Sequence, residues 1–155
     1  MMRLCDFLDF DSVRTSVPSG NKRQLLQTLG QIAGQRLGFE PGAIVDAIVE
    51  RERLGSTGFG GGVAIPHGKV EGLQTVYATM VRLAEPIDYK AIDGRKVDLI
   101  FLLLTPPDAG AQHLKALAAV SRVVRNADTV EKLRGARSRD ALIAVLMAAE
   151  ERDAA

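Results

Sequence analysis

The chain has 155 residues, 46% of them hydrophobic and 25% charged, which is enough for one packed domain and too apolar for disorder. Its 20 Lys and Arg against 19 Asp and Glu leave a formal charge of +1, so no strong field argues for a nucleic-acid or membrane surface. A single cysteine, Cys5, excludes an intrachain disulfide and a multi-cysteine zinc site, the usual profile of a reduced compartment.

Met1 to Asp6 reaches an acidic residue without a long apolar run, unlike a secretory or lipoprotein leader. No stretch approaches the roughly 20 apolar residues that span a bilayer, so a cytoplasmic domain without membrane insertion is expected. Residues 3–18 read as a short turn or helix and then an extended piece at Thr15–Val17. From Asn21, Leu25, Leu26, Leu29, Ile32, Ala33 and Leu37 recur at helical steps; Ser19 or Asn21 caps this helix and Gly38 ends it. A second helix opens near Pro41, buries Ile44, Val45, Ile48 and Val49, and is expected to close at Leu54-Gly55. Arg51 and Arg53 in its last turn complement the helix dipole.

Thr75–Leu83 has the β-branched and aromatic content of a strand. Residues 84–96, with Pro86, Asp93 and Gly94, read as a loop with a little extended structure around Ile87–Tyr89. Val97–Leu104 is the most apolar run in the chain and predicts a central strand covered on both faces. After the Pro106–Gly110 loop come three helices, at about 111–126, 129–135 and 138–151, the last capped by Ser138. The order predicts a single α/β domain over residues 1–150, a small mixed β-sheet flanked by helices on both faces, with a frayed tail at 151–155.

Between the second helix and the first strong strand lies Gly55-Ser-Thr-Gly-Phe-Gly-Gly-Gly-Val-Ala-Ile-Pro-His67-Gly-Lys69, in which six of fifteen residues are glycine. Glycine lets main-chain N–H groups approach a ligand, and Pro66 stiffens the lead-in to His67. Ser56, Thr57, Gly58 and Gly60 are therefore candidates for a phosphoryl-binding loop. The second histidine, His113, falls in the first turn of the helix after the buried strand, where layered α/β folds bind ligands and helix N–H groups favour anions. Each residue also has a plain structural reading. His67 can satisfy a loop carbonyl, His113 can face solvent, and Arg51 can be a solvated helix-end cation.

Several chemistries fail on spacing. There is no Gly-Lys-Ser/Thr ending of a nucleotide loop, no Gly-x-Ser-x-Gly elbow, no His-Glu-x-x-His and no aromatic-laced basic stripe. No metal or cofactor is expected. What remains is a neutral imidazole able to attack phosphorus, helped by positioning and charge neutralisation.

Arg51-Glu-Arg-Leu-Gly-Ser-Thr-Gly…Ile-Pro-His67-Gly-Lys resembles the phosphoryl-accepting motif of fructose/mannitol-type enzyme IIA domains of the bacterial phosphoenolpyruvate phosphotransferase system. The likeness continues through Ala91–Pro106 and the His113-Leu-x-x-Leu helix. It is strongest to the stand-alone, nitrogen-regulatory branch, since the chain has no room for a IIB or IIC domain. The resemblance implies a type-2 enzyme IIA domain with His67 phosphorylated on the ring nitrogen farther from the backbone. It also implies that His113 stabilises the phosphoryl group and that Arg51 neutralises its charge. The implied donor is an HPr-like phosphohistidine carrier, and the implied outcome is control of protein targets such as transporters or kinases. The alternative within the family is a sugar-transport enzyme IIA that relays phosphate to a IIB component. Outside it stand a binding module with relic histidines and a histidine-based hydrolase. Gly61 stands where the family usually has asparagine, and the apolar Phe59 is a candidate docking patch for the carrier.

Overall fold

The computed structural model describes residues 1–154, with side chains through Arg152. Two short 3-10 turns, Leu4–Asp6 and Phe10–Ser12, precede strand β1 (Arg14–Val17) and helices α1 (Lys22–Leu37) and α2 (Pro41–Glu52). The glycine-rich stretch supplies three short strands, β2 (Gly58–Gly60), β3 (Val63–Ala64) and β4 (His67–Lys69). Two long strands follow, β5 (Tyr77–Ile87) and β6 (Val97–Thr105), and then α3 (Ala111–Val124), α4 (Ala127–Gly135) and α5 (Arg139–Ala154).

The sheet runs β1-β5-β6-β3-β2, with β4 also pairing with β6. β5 and β6 are antiparallel, whereas β1 is parallel to β5 and both β3 and β4 are parallel to β6, giving the mixed sheet expected. β6 shows why a continuous apolar run belongs at the centre. Ile100, Leu102 and Leu104 enter a core built with α1 and α2. Leu99, Phe101 and Leu103 enter a second core built with α3, α4 and α5. Both faces of this strand are buried, so alternation with polar residues disappears.

Helix ends follow local chemistry. The Asn21 side chain accepts the Gln24 N–H at 2.9 Å and caps α1, while Ser19 is a neighbour bonded to the Asn21 carbonyl. Gly38 closes α1 with φ 76°. Asn126 caps α4, and Ser138 accepts the Ala141 N–H at the start of α5. Three boundaries differ from expectation. α2 stops at Glu52 rather than at Leu54-Gly55, because Arg53, Leu54 and Gly55 turn out of the helix. β5 continues through Pro86 to Ile87, where a loop was expected; its pairing with β6 shifts register between Arg82 and Ile87, the kind of irregularity that tolerates a proline. α5 carries helix through Ala154, beyond the end at about 151 that was expected, and Ala155 lies outside the described residues. Among the described residues no helix is long and apolar enough to cross a membrane.

Candidate functional site

Pro66 is the origin of the site's geometry. Without an N–H it interrupts the line of β3 and β4 along β6, although its carbonyl still accepts the Leu103 N–H at 3.0 Å. The backbone groups of Ile65 alternate to the side away from β6, toward β2. Ile65 donates its N–H to the Thr57 carbonyl at 3.0 Å, which ties down the glycine-rich stretch. Its own carbonyl lies 2.7 Å from His67 Nδ1. A carbonyl only accepts, so Nδ1 carries the ring proton and Nε2 keeps its lone pair.

His67 is 9% exposed and lines a cavity of about 330 Å³ with His113, Arg51 and Lys69. Three α2 residues reach it, Ala47, Glu50 and Arg51, at the spacing of one helix face, and Leu54 joins them from the turn that follows the helix. β4 comes this close to α2 because residue 68 is glycine. A methyl there would lie 2.8 Å from the Ala47 carbonyl oxygen. Arg51 is braced by a 2.9 Å hydrogen bond from Nη1 to the Gly55 carbonyl. From the other side, α3 delivers His113, whose Nδ1 lies 2.7 Å from the hydroxyl of Thr105, the last residue of β6. The two imidazoles stand 5.6 Å apart between ring centroids, tilted by 55°.

Burial lowers the pKa of His67 below the ordinary 6.5; the bond to Ile65 and the charge of Glu52 oppose this, and Arg51 adds to it. His113 is lowered as well, first by burial and then by His67, Lys69 and Arg51. Both rings are therefore neutral near pH 7. The site is a nucleophilic imidazole with a defined free nitrogen, a second imidazole and two cations around one concavity, which suits an anionic electrophile.

The structure brings His67, His113 and Arg51 together, but it places Ser56, Thr57, Gly58 and Gly60 away from their cavity. The Ser56 hydroxyl accepts the Gly58 N–H, and Gly58 packs so tightly on Ala91 that a methyl there would sit 2.9 Å from Cα. Gly60 lies beside Asp93. Thr57 turns inward to the Glu52 carboxylate and the Tyr89 hydroxyl. Gly61 has φ 65° with open space where a side chain would project, a position that suits glycine and asparagine alike. Phe59 lines a different cavity, and the exposed apolar residue that lines the histidine cavity is Leu54.

A buried polar cluster beside the site escaped sequence reasoning. Glu52 Oε2 pairs with Lys22 Nζ at 2.8 Å, and its carboxylate also accepts from the Tyr89 hydroxyl at 3.0 Å, the Thr57 N–H at 3.2 Å and the Thr57 hydroxyl. Lys22 Nζ sits 4.2 Å over the Tyr89 ring. Burial pushes the Glu52 pKa up, but Lys22 and the Thr57 and Tyr89 donors outweigh it and hold it below 4.5. One signal was available: a carboxylate in the last turn of a helix opposes the dipole and needs a reason to be there.

The fold and the paired histidines define an enzyme IIA, and residues 6–149 match the family described as phosphoenolpyruvate-dependent sugar phosphotransferase system, EIIA 2, to which this chain belongs. Within the family its similarity lies with nitrogen regulatory proteins. That of Bradyrhizobium diazoefficiens is 41% identical over 145 residues, covering 94% of this chain and 95% of the relative. The crystal structure of nitrogen regulatory protein IIA-Ntr from Neisseria meningitidis superposes with a TM-score of 0.85 at 30% identity, over 91% of this chain and 97% of that one. The mannitol enzyme IIA of Escherichia coli, solved in complex with phosphorylated enzyme IIB, shares the fold at a TM-score of 0.73 and 16% identity, over 88% of this chain and 95% of that one.

Proposed function

We propose that this chain is a phosphocarrier that accepts a phosphoryl group on His67 Nε2 from an HPr-like phosphohistidine protein and controls protein partners through its phosphorylation state. The observation that carries the reading is the 2.7 Å contact from His67 Nδ1 to the Ile65 carbonyl, which leaves Nε2 as the nucleophile in the shared cavity. The Nε2 lone pair forms a bond to phosphorus while the donor's N–P bond breaks, its electron pair remaining on the donor imidazole. Arg51 and Lys69 offset the charge on the phosphoryl oxygens. In the tautomer in which the Thr105 hydroxyl donates to His113 Nδ1, His113 carries its proton on Nε2 and donates it as a hydrogen bond to the same oxygens. Leu54, 83% exposed, offers a protein donor an apolar contact at the rim of the site. Phosphorylation then replaces a neutral ring with close to two negative charges at that rim, enough to change which proteins bind there.

A second reading, onward relay to a IIB component, is favoured by the mannitol protein of the same fold that is seen bound to phosphorylated IIB. Intact-mass spectrometry at alkaline pH, after incubation with phosphoenolpyruvate, enzyme I and an HPr-like carrier, tests the common step. One acid-labile phosphoryl adduct on the wild type and none on His67→Ala is expected. No adduct on correctly folded wild type would refute the phosphocarrier reading. Subsequent loss of the adduct to an added IIB cysteine would establish the relay; its retention would favour the regulatory carrier.

A further inference from the structure

Phe59 lies between glycines on β2 and is 40% exposed, yet it has no place in the histidine site. Its ring lines a separate cavity of about 380 Å³, in the lower part of the roughly 300–1,000 Å³ range of ligand cavities. Val124 and Val130 supply apolar wall on the α3–α4 side, and Gly60 and Gly61 supply main chain on the other. Three guanidinium groups, from Arg95, Arg125 and Arg134, converge on the same space, against the single carboxylate of Glu131.

The three arginines are not equivalent. Arg134 is committed: it pairs with Asp98 at 3.1 Å and Glu131 at 3.3 Å and donates to the Gly61 carbonyl. Among the described residues, Arg95 and Arg125 have neither an ion pair nor a side-chain hydrogen bond. Asp93, beside the loop, is turned to the main-chain N–H groups of Gly61 and Arg95. Two unanswered cations at the mouth of an apolar cavity with a half-exposed aromatic ring specify an amphipathic anion. A neutral apolar ligand would leave the guanidinium groups unused, and a fully polar one would leave the Phe59 ring in water.

We propose that this cavity binds a small organic carboxylate with an aromatic body, its ring on Phe59 and the valines and its carboxylate on Arg95 and Arg125. The site is distinct from the histidine cavity, and its glycine wall runs into β3 and then to His67, so a bound ligand touches the segment that presents the histidine.

The test is an amide NMR titration of the full chain with 3-phenylpropanoate and, as the uncharged control, 3-phenylpropan-1-ol. The carboxylate is expected to give saturable shifts centred on Phe59–Val63 and Val124–Arg134. The alcohol should bind at least about tenfold more weakly, the loss a removed ion pair and its hydrogen bonds produce. Arg95→Gln with Arg125→Gln, and separately Phe59→Ala, should each weaken carboxylate binding to a similar degree; all three side chains are surface-accessible, so folding is preserved. His67→Ala should bind it unchanged, which keeps this inference independent of the phosphocarrier reading. Absence of saturable shifts up to about 10 mM, a limit far weaker than ordinary effector sites, would overturn the proposal. So would equal affinity for the alcohol, or shifts centred on Gly68, Lys69 and His113.

Discussion

At the scale of single residues, His67 is prepared by Ile65, two positions before it. The Ile65 carbonyl accepts from Nδ1, and the ring's tautomer follows. Burial then lowers the pKa of the imidazole below its ordinary 6.5. The rate of phosphorylation is therefore expected to fall in acid with a midpoint below the 6.5 of an ordinary histidine, as read from single-turnover transfer. The same shift has a stability consequence. A buried ring that resists protonation makes no contribution when native and unfolded chains are both neutral, above about 6.5. Below that, the unfolded chain takes up protons first and the native state loses stability. Urea midpoints between pH 7.5 and 5.5 should drop more for the wild type than for a variant with His67→Gln and His113→Gln. Arg51→Ala should slow transfer by about 10²-fold, the usual scale for losing one group that offsets developing charge, with thermal stability nearly intact.

Elements explain why the three site residues meet. α2 brings Arg51 to β4 only because Gly68 lets the strand lie against the Ala47 carbonyl. Gly68→Ala should cost about 1–3 kcal/mol, the range for forced overpacking, and should slow phosphoryl transfer as well by separating the two elements. Denaturation and transfer rate measured together check this. The end of α2 is fixed by Glu52, which joins α1 through Lys22, the glycine-rich stretch through Thr57 and the region after β5 through Tyr89. Glu52→Gln leaves Lys22 without its counter-charge and should destabilise by about 3 kcal/mol at pH 7. Because the Glu52 pKa is lowered on folding, its contribution is present above about 4.5 and disappears as the pH falls through the native value. The gap between wild type and Glu52→Gln should therefore narrow in acid. Such a cluster is poorly legible in sequence, since its members are 30 and 37 residues from one another's partners. The helices were legible, because their apolar spacing, Asn21, Pro41 and Gly38 are local signals. The strands within the glycine-rich stretch were not, because two- and three-residue strands exist only through their pairing, β3 and β4 with β6 and β2 with β3.

Across the whole molecule, β6 divides one hydrophobic interior into two, with alternate residues facing α1–α2 and α3–α5. Leu102→Ala and Leu103→Ala open cavities in different halves, and each should cost about 2–5 kcal/mol. Because both residues sit on one strand, far- and near-ultraviolet circular dichroism should report a single coincident transition in each variant. The apolar run 97–104 announced this central strand, and the order of elements announced a covered mixed sheet. What the order of elements left open was the end of the sheet at which His67 and His113 converge, which depends on β4 running parallel to β6 and on α3 starting just beyond it. The wall of the histidine cavity, formed by one face of α2, Leu54 and Lys69, required the packed structure. The most direct measurement is long-range ¹H–¹⁵N NMR of the imidazole rings before and after phosphorylation by the carrier system. The geometry predicts a His67 ring protonated at Nδ1 in both states, with the phosphoryl group on Nε2. A phosphoryl group on Nδ1, or on His113, would contradict it.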